Sequence, residues 1–162
     1  RNIRRFYIFE QFLFPDFPYQ LIQIADTRKP FLPGEQYHFS ISHCGDYAAA
    51  IVSKERRVGI DIEIPVEKII RIRDKFLSID EKKKWLVDGS TPDARTITLR
   101  RSCKVSVFKS YGDGGVDFRE QIQLKDQYHD KTMIQCFFAK NQSDISIQYN
   151  LFDHLVLAWV VS

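Results

Sequence analysis

Cysteine is scarce in this sequence of 162 residues: Cys44, Cys103 and Cys136 are the only three, with no Cys-x-x-Cys spacing among them. That excludes a disulfide framework and a paired-cysteine zinc site, and it fits a reducing cytoplasm. Long apolar runs are missing too. The longest, residues 155–161, falls far short of the ~18 or more needed to span a bilayer. Arg1, Arg4 and Arg5 precede a short run broken by Glu10 and Gln11, a pattern unlike a secretory signal. Charge of one sign is also lacking. The 24 Lys and Arg against 21 Asp and Glu leave a formal +3, too little to argue for nucleic acid, though compatible with a local anion pocket. Gly112, Gly114 and Gly115 lack the spacing of a phosphate loop and read as a turn.

What is abundant is aromatic: 13 Phe, 7 Tyr and 2 Trp make up 14% of the chain, with hydrophobic residues at 44% and charged ones at 28%. Such a composition predicts one folded domain with a dense β-rich or mixed core. Apolar spacing predicts a helix over 3–13, ended by Pro15 and Pro18, and a short strand over 21–25. Strands follow over 38–42, 47–53 and 58–64, the last two read as a hairpin across the charged turn 54–57. A helix is expected over 65–76. Ser78 with Glu81 forms a capping-box pattern ahead of a second helix over 81–86, and 88–94 reads as a loop. Residues 97–111 fit either period; alternation of Ile97, Leu99, Cys103, Val105 and Val107 favours a strand on composition. Four antiparallel strands are expected over 118–124, 132–139, 144–149 and 155–161.

In 58–64 the strand period puts Val58, Ile60, Ile62 and Ile64 on one face and Gly59, Asp61 and Glu63 on the other. Two carboxylates whose Cα atoms stand about 6.6 Å apart could hold a hard cation between them. A half-buried strand with a polar face explains the same pattern. Ser42 and His43 are neighbours on a strand and point to opposite faces, which makes them a poor nucleophile–base couple, though a strand end of this kind suits a phosphate. Lys29, Lys104 and Lys109 complete the candidates.

Taken in order, Lys29-Pro30, then Phe39-Ser40-Ile41-Ser42-His43, then Gly59-Ile60-Asp61-Ile62-Glu63 resemble the motifs of the 4′-phosphopantetheinyl transferase superfamily, in its two-lobed, surfactin-synthetase-activating type. The stretch from Phe76 to Glu81 resembles the Phe-Ser-x-x-Glu segment of that superfamily. The similarity runs over about 27–118. It departs at Arg28, where the superfamily has Gly, and in 101–109, where Arg101 replaces Trp and Val105 replaces Glu of a Trp-x-x-Lys-Glu-x-x-x-Lys motif, while Lys104 and Lys109 remain.

The resemblance implies an α+β fold of two similar lobes, each a small antiparallel sheet packed with a helix, one about 1–64, with further sequence expected ahead of it, the other about 65–162. It also implies that 97–111 is a helix. The implied activity is Mg²⁺-dependent transfer of 4′-phosphopantetheine from coenzyme A to a serine of an acyl or peptidyl carrier protein in the cytoplasm, by a monomer without nucleic acid or membrane. Lys29, Pro30, Ser42, His43 and Lys109 would bind coenzyme A, with Lys29 at its nucleotide end and Ser42 and His43 near its adenosine and 3′-phosphate. Asp61 and Glu63 would hold the metal, and Asp61, Glu63, Lys104 and Lys109 would form the catalytic set. Val105 cannot act as metal ligand or base, which leaves the base open between Glu63 and a metal-bound water. The alternative is a degenerate, non-catalytic relative that binds coenzyme A or a carrier protein.

Overall fold

A computed structural model describes residues 15–25, 29–34, 36–87, 92–130 and 132–162. The helix expected over 3–13 and most of the loop over 88–94 lie outside the described residues.

The chain is α+β, built of small antiparallel sheets and few helices. Strands β1 (Gln23–Ile24) and β2 (Pro30–Phe31) form a short antiparallel pair. Strands β3 (His38–Cys44) and β4 (Tyr47–Ser53) form a tight hairpin, paired from His38 with Ser53 to Cys44 with Tyr47. Gly45 turns it at φ +57°, in the left-handed region that glycine enters without steric cost. The main sheet contains β5 (Val58–Glu63), β6 (Ile122–Asp130), β7 (Met133–Phe138), β8 (Ser143–Leu151) and β9 (Val156–Val161), in the order β5-β9-β8-β7-β6. Its last four strands are the four expected from alternation, with shifted ends.

The expected β4–β5 hairpin is not formed. β5 pairs instead with β9, from Val58 opposite Val161 to Glu63 opposite Val156. Every residue of β5 from Val58 to Ile62 is buried, whereas no residue of β4 is. An apolar strand gains ~1.5–3 kcal/mol for each large side chain it covers fully, and β5 finds that cover only inside the larger sheet. The reading of a half-buried polar face fails for the same reason. The strand taken by the main sheet lies in the part of the chain that the resemblance assigns to the first lobe.

β3 nevertheless lies alongside β5. The amides of Ile60 and Ile64 donate to Ser40 Oγ (3.2 Å) and Cys44 Sγ (3.4 Å), and Ser42 Oγ donates to Asp61 Oδ1 (3.0 Å). The contacts advance together from 40 with 60 to 44 with 64, so the two strands run the same way. Side chains of β3 satisfy main-chain groups of β5 that a ladder would otherwise satisfy.

Helix α1 (Lys68–Ile72) continues into a 3₁₀ turn at Arg73–Lys75, covering much of the helix expected over 65–76. Helix α2 (Ile79–Val87) begins with the expected capping box: Ser78 N donates to Glu81 Oε2 at 2.7 Å and Glu81 N to Ser78 Oγ at 3.2 Å. Helix α3 (Ala94–Tyr111) overturns the strand reading of 97–111. Asp93 caps its start by accepting from Thr96 N at 2.7 Å, and Gly112 ends it at φ +84°. One stripe of α3, Leu99, Cys103 and Val107, packs into the main core with Ile122, Cys136 and Val160. Among the described residues no helix is long and apolar enough to cross a membrane.

Candidate functional site

A second stripe of α3 is made of serines, and it decides how close the helix comes to β5. Ser102, Ser106 and Ser110 are buried at four-residue intervals, one above another on a helix face. They lie over Gly59, where a Cβ would stand 1.9 Å from the Ser106 carbonyl oxygen and 2.7 Å from the Ser110 nitrogen. Glycine here leaves no open room beside the carboxylates; it lets the helix backbone fill that space. Ser106 and Ser110 donate to the carbonyls of Cys103 and Val107, both at 2.8 Å, and so need nothing from the strand.

The third stripe, Arg101, Val105 and Lys109, faces the two carboxylates of β5. Lys109 Nζ donates to Asp61 Oδ1 at 3.0 Å, to the Ile60 carbonyl at 2.9 Å and to the Ile41 carbonyl at 3.4 Å. Arg101 pairs with Glu63 Oε1 at 2.5 Å, both side chains partly exposed. Asp61 is buried, and loss of water raises its carboxyl above the ordinary value; Lys109 opposes that shift, Glu63 adds to it, and the Ser102 hydroxyl lowers it a little. Asp61 Oδ2 and Ser102 Oγ are both buried without a hydrogen bond of standard geometry.

Beyond Lys109 the end of α3 borders a cavity of about 250 Å³ lined by Lys29, Pro30, Phe39, Ser40, Phe108 and Lys109, among others. A neighbouring hollow shares Lys29 and Lys109 and adds Arg57 and His38. A Cβ on Gly112 would meet Lys29 Nζ at 2.0 Å, so the ammonium rests at the carboxyl end of α3, where the helix dipole favours a cation. Arg57 donates to the Tyr111 carbonyl there at 2.7 Å.

Of the expected site residues, the fold gathers Lys29, Pro30 and Lys109 at one cavity and puts Asp61 and Ser42 directly behind Lys109. Glu63 stands two residues along with Arg101. His43 is exposed at the far end of β3 and lines neither hollow. Lys104 is elsewhere: wholly buried, it pairs with Glu81 Oε2 at 2.7 Å and donates to the Phe118 carbonyl at 2.8 Å. Burial lowers its pKa, opposed by Glu81. Glu81 also accepts from Leu124 N at 3.1 Å, so the pair ties α2, α3 and β6 together, away from the cavity that Lys109 borders. Sequence reasoning missed Arg57, hidden in a charged turn, and the partner of Arg101, which only a fold can reveal.

No protein-family model matches the chain. Over 89 residues it is 37% identical to enterobactin synthase component D of Escherichia coli (strain K12), a match covering 54% of this chain and 42% of that protein. The same protein of Salmonella austin is 33% identical over 90 residues, 56% of this chain and 38% of the relative. That of Salmonella typhi is 35% identical over 92 residues, with the same coverage of 56% and 38%. Over that stretch the chain is similar to these proteins, and the likeness supports the superfamily that its motifs resemble. The chain spans about two fifths of the length of the curated relatives it matches, so a superfamily activity for this chain is a matter for proposal.

The superfamily draws on Mg²⁺, and the residues present can be tested against that ion. Among the described residues no three His, Cys, Asp or Glu side chains come together as a metal group. Asp61 and Glu63 are each engaged by a basic side chain of α3, and Val105 between those bases offers no oxygen. Asp61 Oδ2 and Ser102 Oγ are the buried oxygens left without a partner here, short of the six ligands Mg²⁺ demands even when waters supply several. The donor set does not fit.

Proposed function

We propose that this chain binds coenzyme A at the end of α3 and transfers its 4′-phosphopantetheine group to a serine of an acyl or peptidyl carrier protein. The observation that carries the reading is the meeting of three separated segments. Lys29-Pro30, the β3 strand and the end of α3, whose Lys109 reaches back to Asp61 of β5, converge on one cavity, with cationic side chains on its wall. In the reaction the serine oxygen bonds to the phosphorus of the pantetheine arm, the pyrophosphate P–O bond breaks, and 3′,5′-bisphosphoadenosine leaves with the electron pair. The serine proton passes to a base. Glu63, held by Arg101 at one oxygen, is the carboxylate proposed for it.

In this reading Lys29 and Arg57 offer positive charge to the phosphates, which suits charge-assisted hydrogen bonds. Lys109 orients β3 and β5 and meets the ligand only by exchanging one of its present acceptors. The Mg²⁺ dependence of the superfamily belongs to the proposal only as an expectation of the resemblance, and no step here is routed through it. The proposed setting is a cytoplasmic monomer. A second reading, binding of coenzyme A or a carrier protein without turnover, is favoured by Val105 at the motif Glu position.

Mass spectrometry of apo carrier proteins incubated with the chain and coenzyme A tests both. Gain of one phosphopantetheine on the carrier is the expected result. Coenzyme A binding by calorimetry with no mass gain establishes the second reading, and loss of both removes the cavity assignment.

A further inference from the structure

The oxygens around the Lys109 ammonium are arranged as they would be around a bound ion. Asp61 Oδ1, the Ile60 carbonyl and the Ile41 carbonyl approach Nζ at 3.0, 2.9 and 3.4 Å. An ammonium has three N–H donors and no acceptor, so this shell is full. Two turns earlier on the same stripe Arg101 takes Glu63. α3 thus lays two unit positive charges against two unit negative ones, pair by pair.

A divalent ion added to that group would face two cations already in place. Entry by displacement is no easier. The Asp61 side chain is only 4% exposed, and the ion would have to replace charge-assisted bonds, the stronger class of hydrogen bond. Resting on the transferase reading, the geometry points to Lys109 and Arg101 as resident cations of the Asp61–Glu63 pair, in the charge-balancing place of a divalent ion, so that the pair holds no divalent ion in the chain alone. The Trp-to-Arg and Glu-to-Val departures at 101 and 105 then belong together: one supplies the cation, and the other removes the carboxylate that an ion would need.

Titration of the chain alone with Mn²⁺, read by electron paramagnetic resonance and by thermal midpoint, tests this without reference to coenzyme A or turnover. The wild-type chain is expected to show no saturable binding and no shift in midpoint. R101M/V105E removes one cation and adds one oxygen donor; it is expected to bind Mn²⁺ at least ~10-fold more tightly than wild type, since ligand charge count tunes such sites, and D61N is expected to abolish that gain. Should the double variant fold poorly, R101M alone, at a partly exposed side chain, gives the same reading. Saturable wild-type binding that D61N or E63Q abolishes overturns the inference. So does the absence of any gain in both variants, because the basic side chains would then not be what excludes the ion. Since the titration uses no coenzyme A, its failure is distinct from failure of the transferase reading.

Discussion

Lys104 and Lys109 sit five residues apart on one helix, and each holds a carboxylate from another element, yet they do different things. Lys104 and Glu81 are sealed in the protein, side chains 0% and 4% exposed. Lys109 keeps 26% of its side chain exposed and borders a cavity. About a turn of helix separates an internal tie from a group at a cavity edge. The lesson is that the type of residue and its partner do not assign a role; the side of the helix on which it leaves does.

The sharpest way to break the contrast is to remove Lys104. K104A leaves Glu81 buried without its cation, a loss of about 3–5 kcal/mol, seen as a fall in the urea midpoint. K104M/E81Q, which removes both charges, is expected to recover most of it. If K104A is as stable as wild type, the buried tie is not what holds α2 to α3.

Gly59→Ala attacks the other side. Its Cβ meets main-chain atoms of α3, which cannot swing aside, and overpacking of this kind costs about 1–3 kcal/mol. Because the added methyl pushes α3 off β5, the Lys109–Asp61 pair should loosen as well. A fall in coenzyme A affinity beside the lost stability is the expected calorimetric result, and unaltered values for both would show that the helix can retreat freely.

Asp93→Ala removes the cap of the same helix at its far end and should cost about 1 kcal/mol at neutral pH. The Asp93 carboxyl is held below its ordinary value because it accepts from Thr96. A depressed carboxylate contributes in full above its unfolded pKa of about 3.9 and loses that contribution as pH falls through the lower folded value. The gap in stability between wild type and D93A should therefore hold at pH 7 and close in strong acid. A gap that stays constant into acid would rule out the carboxylate cap.

The smallest stability effect is expected at Arg101. Its pair with Glu63 is partly exposed, and pairs of that kind contribute about 0–1 kcal/mol. R101M should leave the denaturation midpoint nearly unchanged, while K104A, which leaves the Glu81 charge buried alone, carries the large cost. Equal losses for R101M and K104A would erase the distinction between buried tie and cavity edge.

Much of this was legible in sequence. Ser78 and Glu81 announced the start of α2, because both halves of a capping box are local. The strands of the main sheet followed from alternation, which also needs only neighbours. Partners were not legible. The turn at 54–57 looks the same whether β5 folds back on β4 or crosses to β9, and only the burial of β5 decides between them. α3 misled composition because it is covered on several sides: a helix without an exposed face loses its apolar period, and Cys103, Val105 and Val107 then mimic a strand. For the candidate site, order of motifs pointed to Lys29, Asp61 and Lys109, which the fold brings near one another. It could not show that Lys104 turns inward, nor that Arg101 closes on Glu63.

The join between β3 and β5 has a consequence for how this protein can change over generations. A main-chain ladder is indifferent to which residues lie along it, so substitutions pass without altering the connection. Here Ser40, Ser42 and Cys44 make the bonds with their side chains, and every one of those positions is open to single-codon revision. S40A would strip the Ile60 amide of its acceptor and speed its exchange with solvent deuterium, leaving the hairpin itself paired. The join is written in sequence, not in backbone, and drift at three positions is enough to set how firmly the hairpin grips the sheet that carries Asp61.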